Sequence, residues 1–427
     1  MTELEIKKKD EYRVSRFMYI IEAAVEYFVS ILVTGAYFAT LTSYIGISDS
    51  TTGLLSAFVS LGFSFQILAL MIPRKVSSKK ISVYGHLLEM LLFTALYVVP
   101  FFDISTNAKS AIIVVFLLGG RIISNLVYSP KIAWLMGLVD ERQRGKFTAV
   151  KEMVSLISGM GFTLVMGRIV DIYKEKGNIE GAFLISAITL FSLTVVHTLS
   201  LILTKEKPKT SEEMKDGTVK KQLVSIFRNK NFWLVLPVLM CWSIANYVST
   251  PFYNPYLIGE LAFSMTVISV VGVIGSFTRA TVSLPIGSLA DKCGFSKMLL
   301  LCFSVMLVAF GSMIFATPET KFFYVIYAVL YAAGMAGMNS SEINLVLDYT
   351  SRELRVGAIA IKGLICGMTG FLTTLAAKPL VDYIQGNGNK LFGIHVYAQQ
   401  LTSVISVFMC IVALVYMLTV VRKIKRN

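Results

Sequence analysis

Residues 17–44 read FMYIIEAAVEYFVSILVTGAYFATLTSY. The stretch is apolar enough, and at a helical rise long enough, to cross a hydrocarbon core of about 30 Å. At about 100° per residue, Tyr19, Glu22, Glu26, Ser30, Val33, Tyr37, Thr40 and Tyr44 fall within one arc of roughly 80°. All but Val33 carry a polar atom, and Glu22 and Glu26 are carboxylates. Ionised groups facing lipid cost several kcal/mol, so this stripe has to meet water, another helix or a passenger. The pattern predicts a helix lining a path through a membrane.

Similar apolar stretches recur along all 427 residues. They predict spans at roughly 17–44, 52–72, 81–101, 110–136, 146–170, 181–204, 232–257, 265–288, 297–316, 322–347, 356–381 and 397–421. With 55% hydrophobic and 15% charged residues, a soluble fold is excluded. The polar residues before the first span, with no small-residue site after a short core, predict no cleaved signal peptide.

The net charge of +14 reads as membrane orientation, not nucleic-acid binding. With both termini inside, most Lys and Arg fall in the inner segments, and the outer loops hold only Lys109, Lys174, Lys176, Lys321 and Lys390. This bias predicts both termini in the cytoplasm, with the lipid bilayer as the basic residues' partner. Cys241, Cys302, Cys366 and Cys410 fall inside spans and Cys293 in an inner loop, which suggests no disulfide framework. His86, His197 and His395 lie on three distant segments and read as membrane-rim histidines, so no metal site is expected.

The polar run 205–228, KEKPKTSEEMKDGTVKKQLVSIFR, divides the spans six and six. Two bundles are therefore expected, residues 1–204 and 229–427, joined by a cytoplasmic linker in which Thr210 and Glu213 can form a capping box. The halves repeat. An offset of 211 aligns Lys151 with Lys362, Gly159 with Gly370, and Val170-Asp171 with Val381-Asp382. An offset of 215 aligns Phe17 with Phe232 and Tyr37-Phe38 with Phe252-Tyr253. Parallel six-span repeats are a known transporter architecture.

Between spans eight and nine, residues 287–297 read GSLADKCGFSK. Gly287, Leu289, Ala290, Asp291, Lys292 and Gly294 resemble the G-x-L-A-D-[RK]-x-G signature of the major facilitator superfamily. The corresponding loop after span two, Pro73 to Lys80, keeps the basic residues but not the aspartate or glycines. The resemblance implies an all-α fold of twelve transmembrane helices in two pseudo-symmetric six-helix bundles. It also implies that Asp291 meets the start of span five, near Arg144-Gly145-Lys146, as a conformational switch.

Arg121 lies about 15 residues, roughly 22 Å, from the inner end of span four. Asn125, Tyr128 and Ser129 share its face, and Gly119-Gly120-Arg121 through Asn125 resembles part of the family's span-four arginine motif. That implies substrate or proton handling, although the usual following Gln-Gly is missing. Trp242, Ser243, Asn246, Thr250, Tyr253 and Asn254 make a polar-aromatic face on span seven; Gly272, Ser276, Arg279, Ser283 and Gly287 line span eight. Gln66, Asn339 and Glu342 complete the candidates. Glu26, roughly 13 Å inside, is the expected partner of Arg121, and Glu22 and Glu26 are candidates for carrying a proton. Lys131, Lys151 and Lys362 read as snorkelling to the inner surface. Glu89 is expected to face a neighbouring helix, and Arg168 with Asp171 and Lys378 with Asp382 to form rim pairs.

The sequence thus predicts a secondary transporter of a small organic solute, working by alternating access, with protons as a coupling ion. No P-loop occurs, so ATP hydrolysis, an enzymatic role and a cofactor are not expected. A sugar or polyol, an organic anion and an amphipathic drug for efflux all stay open, as does a sensor that translocates nothing. A monomer in a bacterial cytoplasmic membrane is expected.

Overall fold

The computed structural model describes residues 11–72, 76–140, 143–207, 225–350 and 354–424. Span one is Arg13–Leu32 (α1) and Gly35–Ile45 (α2); span two is Asp49–Ser56 (α3) and Phe58–Ser64 (α4), closed by a 3-10 turn at Phe65–Met71. Next come Ser78–Leu96 (α5), Thr106–Gly137 (α6), Arg144–Glu175 (α7) and Ile179–Leu203 (α8). The second half holds Lys230–Tyr247 (α9), Thr250–Gly259 (α10), Met265–Cys293 (α11), Phe295–Met313 (α12), Phe322–Asp348 (α13), Arg355–Gly386 (α14) and Ala398–Thr419 (α15). Among the described residues, eleven segments are long and apolar enough to cross a membrane. The remaining expected span, α5, carries Lys79, Lys80 and Glu89 among its 19 residues. The chain is a polytopic, helical membrane protein.

One small feature departs from an all-helical reading. Between α14 and α15, Lys390–Leu391 (β1) pairs antiparallel with Ile394–His395 (β2). The turn places Phe392 at φ 50° and Gly393 at φ 81°, the two positive values that a tight two-residue hairpin uses.

Span one is not one continuous helix. It breaks at Val33 and Thr34, and Gly35 resumes the chain at φ 63°, a conformation that costs any residue with a Cβ about 1–2 kcal/mol. A break inside a membrane span frees carbonyls that need donors. Tyr97 Oη donates to Leu32 O at 2.6 Å, and Arg121 Nη2 donates to Val33 O at 3.5 Å. Span seven breaks at Val248 and Ser249, at the offset of 215 that aligns Phe17 with Phe232. There Thr374 Oγ1 donates to Tyr247 O and Ser406 Oγ to Ala245 O, each at 2.6 Å.

Contacts divide the chain into two compact units, residues 1–45 with 68–216 and residues 46–67 with 217–427. Within the second unit, residues 46–67 pack against α14 and α10. Ser60 Oγ donates to Gly367 O at 2.9 Å, and a Cβ on Gly367 would come within 2.6 Å of Ser60 O, so glycine is what permits the approach.

In the first unit α5 packs on α6 and α8, and α1 on α7 and α8. The helix ends on one face are tied together by the segment that follows α8. Lys205 N–H donates to Ser15 Oγ (3.1 Å), Trp134 Nε1 to Lys205 O (2.9 Å), Ser77 Oγ to Glu206 (2.5 Å) and Lys207 Nζ to Gly137 O (2.5 Å). In the second unit α12 packs on α13 and α15, and α14 on α9, around Phe232, Leu239, Phe303, Met306 and Phe310. The expected capping box at Thr210 and Glu213 lies outside the described residues.

Candidate functional site

Lys131 lies six residues before the end of α6 and directly after Pro130, which has no N–H to return to the helix. Its ammonium is 2.7 Å from Glu22 Oε1 and 2.5 Å from Glu26 Oε2, on successive turns of α1. The Lys131 and Glu22 side chains are each 1% exposed, and that of Glu26 is 35% exposed. Burial on this scale is tolerated only for paired charges.

The cluster continues onto two more helices. His197 of α8 sets Nε2 3.2 Å from Glu22 Oε1. His86 of α5 sets Nδ1 2.7 Å from Glu89 Oε2, and the two imidazoles meet edge-on with centroids 5.3 Å apart. Lys151 Nζ lies 5.0 Å over the ring of buried Tyr19. The lower half of the polar stripe of span one therefore meets charged and polar groups from three other helices, and α5 joins through the contact of His86 with His197. Glu22, Glu26 and His197 bring their ligand-type atoms within 4.8 Å of one another, and the cation they hold is the Lys131 ammonium.

Several sequence expectations are corrected here. Glu26 pairs with Lys131 and not with Arg121, because Arg121 is ten residues, about 15 Å, farther along α6. Arg121 instead donates to the Val33 carbonyl at the break and sits 5.0 Å from the centre of the Phe93 ring. Lys131 does not snorkel, since two carboxylates hold it inside; Lys151 turns onto Tyr19. His86 and His197 are fully buried neighbours rather than rim histidines, and only His395, on the hairpin, is exposed. Glu89 faces the neighbouring α6 as expected, where it meets Ser124, and it also bonds His86 of its own helix. Arg168 pairs at 3.8 Å with Glu175 rather than Asp171, one turn farther out, while Lys378 and Asp382 meet at 2.7 Å as expected.

The other candidates separate. Tyr37 Oη donates to Thr163 O at 2.7 Å, and Asn125 Nδ2 donates to Arg121 O at 2.9 Å. Both are buried in the first unit. In the second unit, Trp242 is buried edge-on against Phe303 at 6.1 Å and acts as core. Asn246 Oδ1 accepts from Tyr331 Oη at 2.8 Å, and Tyr327 lies 5.0 Å from Tyr253 and 5.3 Å from Tyr331. Gln66 is half-buried in span two; Arg279 and Asn339 are exposed. Of the switch motif, Lys292 is exposed and Gly294 adopts φ 85° at the start of α12, whereas the side-chain positions of Gly287, Asp291 and Arg144 lie outside the described residues.

The second unit has its own buried charge pair. Lys362 Nζ of α14 is 2.6 Å from Glu342 Oε2 of α13, with side chains 20% and 11% exposed. Lys362 is thus another lysine held by a carboxylate of a neighbouring helix.

A family model described as MFS/sugar transport protein matches residues 83–425. No curated protein sequence matches the chain. Among solved structures, the nucleoside transporter NupG is similar at 14% identity and a TM-score of 0.69, over 96% of this chain and 100% of that one. A D-xylose-proton symporter is similar at 14% identity and a TM-score of 0.68, over 96% and 98% of the two chains. The E. coli fucose:proton symporter gives 14% identity and a TM-score of 0.58, over 95% and 98%. These structures share the fold.

Proposed function

The chain belongs to the MFS/sugar transport protein family, and from that premise we propose that it moves a small organic solute by alternating access, coupled to proton binding at Glu22 and Glu26. It is a multi-pass membrane protein and a secondary transporter of the major facilitator kind. The observation that carries the coupling is a single buried ammonium shared by two carboxylates on one membrane span. A proton on either carboxylate removes one of the two charges holding Lys131. The proton therefore changes which conformation the cluster favours, and a ligand shifts an equilibrium only by such a difference.

A neutral, hydroxyl-rich solute is favoured over an anion or a drug. Structures with this fold include a nucleoside transporter, a D-xylose-proton symporter and a fucose:proton symporter. Asn246, Tyr331 and Tyr253 offer amide and aromatic groups suited to such a molecule. The proposal keeps 1–204 and 229–427 as the functional halves joined by 205–228, with Asp291 and Arg144 as the switch. Both termini are assigned to the cytoplasm of a bacterial cell, on the Lys and Arg bias.

The test is a thermal-stability screen of purified protein against monosaccharides, nucleosides and organic acids, followed by uptake of any hit into proteoliposomes. A ligand at 100 times its Kd stabilises the fold by about 2.7 kcal/mol. The expected result is a sugar or nucleoside hit whose uptake follows an imposed pH gradient and loses that dependence in Glu22→Gln and Glu26→Gln. Uptake indifferent to the gradient in the unmodified protein overturns the coupling.

A further inference from the structure

We propose that His197, His86 and Glu89 extend the Glu22–Glu26–Lys131 cluster into one proton-binding site with two separate proton-accepting imidazoles. The inference rests on reading that cluster as the coupling site, and it assigns the bound protons to groups that the reading does not use.

Two buried carboxylates, Glu22 and Glu89, and the half-buried Glu26 share one buried ammonium, Lys131. With both imidazoles neutral the group carries two negative charges in excess, which a membrane interior penalises. Each imidazole stands against a different carboxylate, His197 at 3.2 Å from Glu22 and His86 at 2.7 Å from Glu89. Protonating both makes the cluster neutral and gives each new cation a partner.

The imidazoles lie edge-on with centroids 5.3 Å apart, so a proton on one is felt by the other. Glu22 Oε2, His86 Nε2 and His197 Nδ1 are buried and have no hydrogen-bond partner among the described residues. A purely structural network would use those atoms, since an unmade buried hydrogen bond is costly. Here each imidazole keeps one nitrogen in hand for a change of protonation.

Titratable and charged groups of four helices surround the cluster. From α1 these are Tyr19, Glu22 and Glu26; from α5, Glu89; from α6, Lys131 and Tyr128; from α7, Lys151 against Tyr19. Only Lys131 among them is a cation in direct contact with the carboxylates of α1.

The chain has three histidines, so histidine-selective isotope labelling of the full protein gives three NMR signals, with exposed His395 as internal reference. As pH is varied, the His86 and His197 signals are expected to respond to each other as a linked pair, read against the His395 signal. Glu22→Gln touches only the His197 end, yet it should move the midpoint of His86 as well, by about half a pH unit or more. Glu89→Gln should do the converse for His197, and it supplies the answer if Glu22→Gln does not fold. Either imidazole keeping one chemical shift across the whole range in the unmodified protein overturns the proposal, and so does a midpoint that ignores the distant glutamate. Histidines that titrate together in a protein whose uptake ignores the pH gradient would instead refute proton coupling and leave this site standing.

Discussion

Lys131 in the first unit and Glu342 in the second stand 211 residues apart, the offset that also aligns Lys151 with Lys362. In the second unit these two positions carry opposite charges and satisfy each other at 2.6 Å. In the first unit both are lysine, and neither can neutralise the other. Lys131 draws two carboxylates from α1, and Lys151 settles on an aromatic ring. One unit closes its charge between two helices; the other leaves its charge dependent on span one. A pair that is closed resists change, whereas an ammonium with two acceptors can lose one and keep the other. This difference makes the first unit the better place for coupling.

Removing Lys131 is the harshest way to test that contrast. Lys131→Met strands Glu22 beside Glu26 with no ammonium, and loss of one partner of a buried pair costs about 3–5 kcal/mol. Chemical unfolding of the purified protein measures it, and adding Glu22→Gln and Glu26→Gln to the same chain should recover most of the loss. A loss below about 1 kcal/mol, of the size seen for surface pairs, would mean water reaches the cluster freely.

Lys362→Met should cost less, about 2 kcal/mol, because both side chains of that pair are partly exposed. The exchanged pair Lys362→Glu with Glu342→Lys should return to within about 1 kcal/mol of the parent, since among the described residues nothing else engages either head group at hydrogen-bond distance. The corresponding exchange of Lys131 with Glu22 should fail, because it sets a new ammonium against His197 and leaves Glu26 facing a carboxylate. Equal recovery in both units would erase the distinction between a closed pair and an open cluster.

Much of the fold was readable before any coordinates. Spans declare themselves by length and apolarity, and Glu22 and Glu26 stand out because a polar stripe on an apolar helix has to face something. The depth of the cluster is also legible. Glu22 is nine residues from Arg13, Lys131 six from Gly137, His197 six from Leu203 and His86 eight from Ser78, or about 13, 9, 9 and 12 Å from ends gathered on one face. What depth does not give is azimuth. Which side of α6 turns toward α1 depends on packing, such as the approach at Gly120, where a Cβ would lie 2.3 Å from the Phe93 ring. Arg121 ranks above Lys131 on depth alone, yet it is engaged by a carbonyl that exists only because span one breaks. That break turns on one glycine, whose left-handed conformation no periodicity reveals.

The two breaks offer the finest version of the comparison. Span seven hands its freed carbonyls to neutral hydroxyls, Thr374 and Ser406, while span one gives Val33 O to a guanidinium and Leu32 O to Tyr97. A bond from a charged donor is worth about 1.5–3 kcal/mol and one from a neutral hydroxyl about 1. Arg121→Gln should therefore cost about 2 kcal/mol, and Thr374→Val about 1 kcal/mol with little change of shape. The order of the two losses matters more than their size. If Arg121→Gln proves as mild as Thr374→Val, its long 3.5 Å contact is not holding the break, and the charge is available to a passing solute. If it is the costlier change, Arg121 is fixed to the backbone of span one. Any movement of the Glu22–Lys131 cluster must then carry Arg121 with the break, because both are anchored to the same pair of helices.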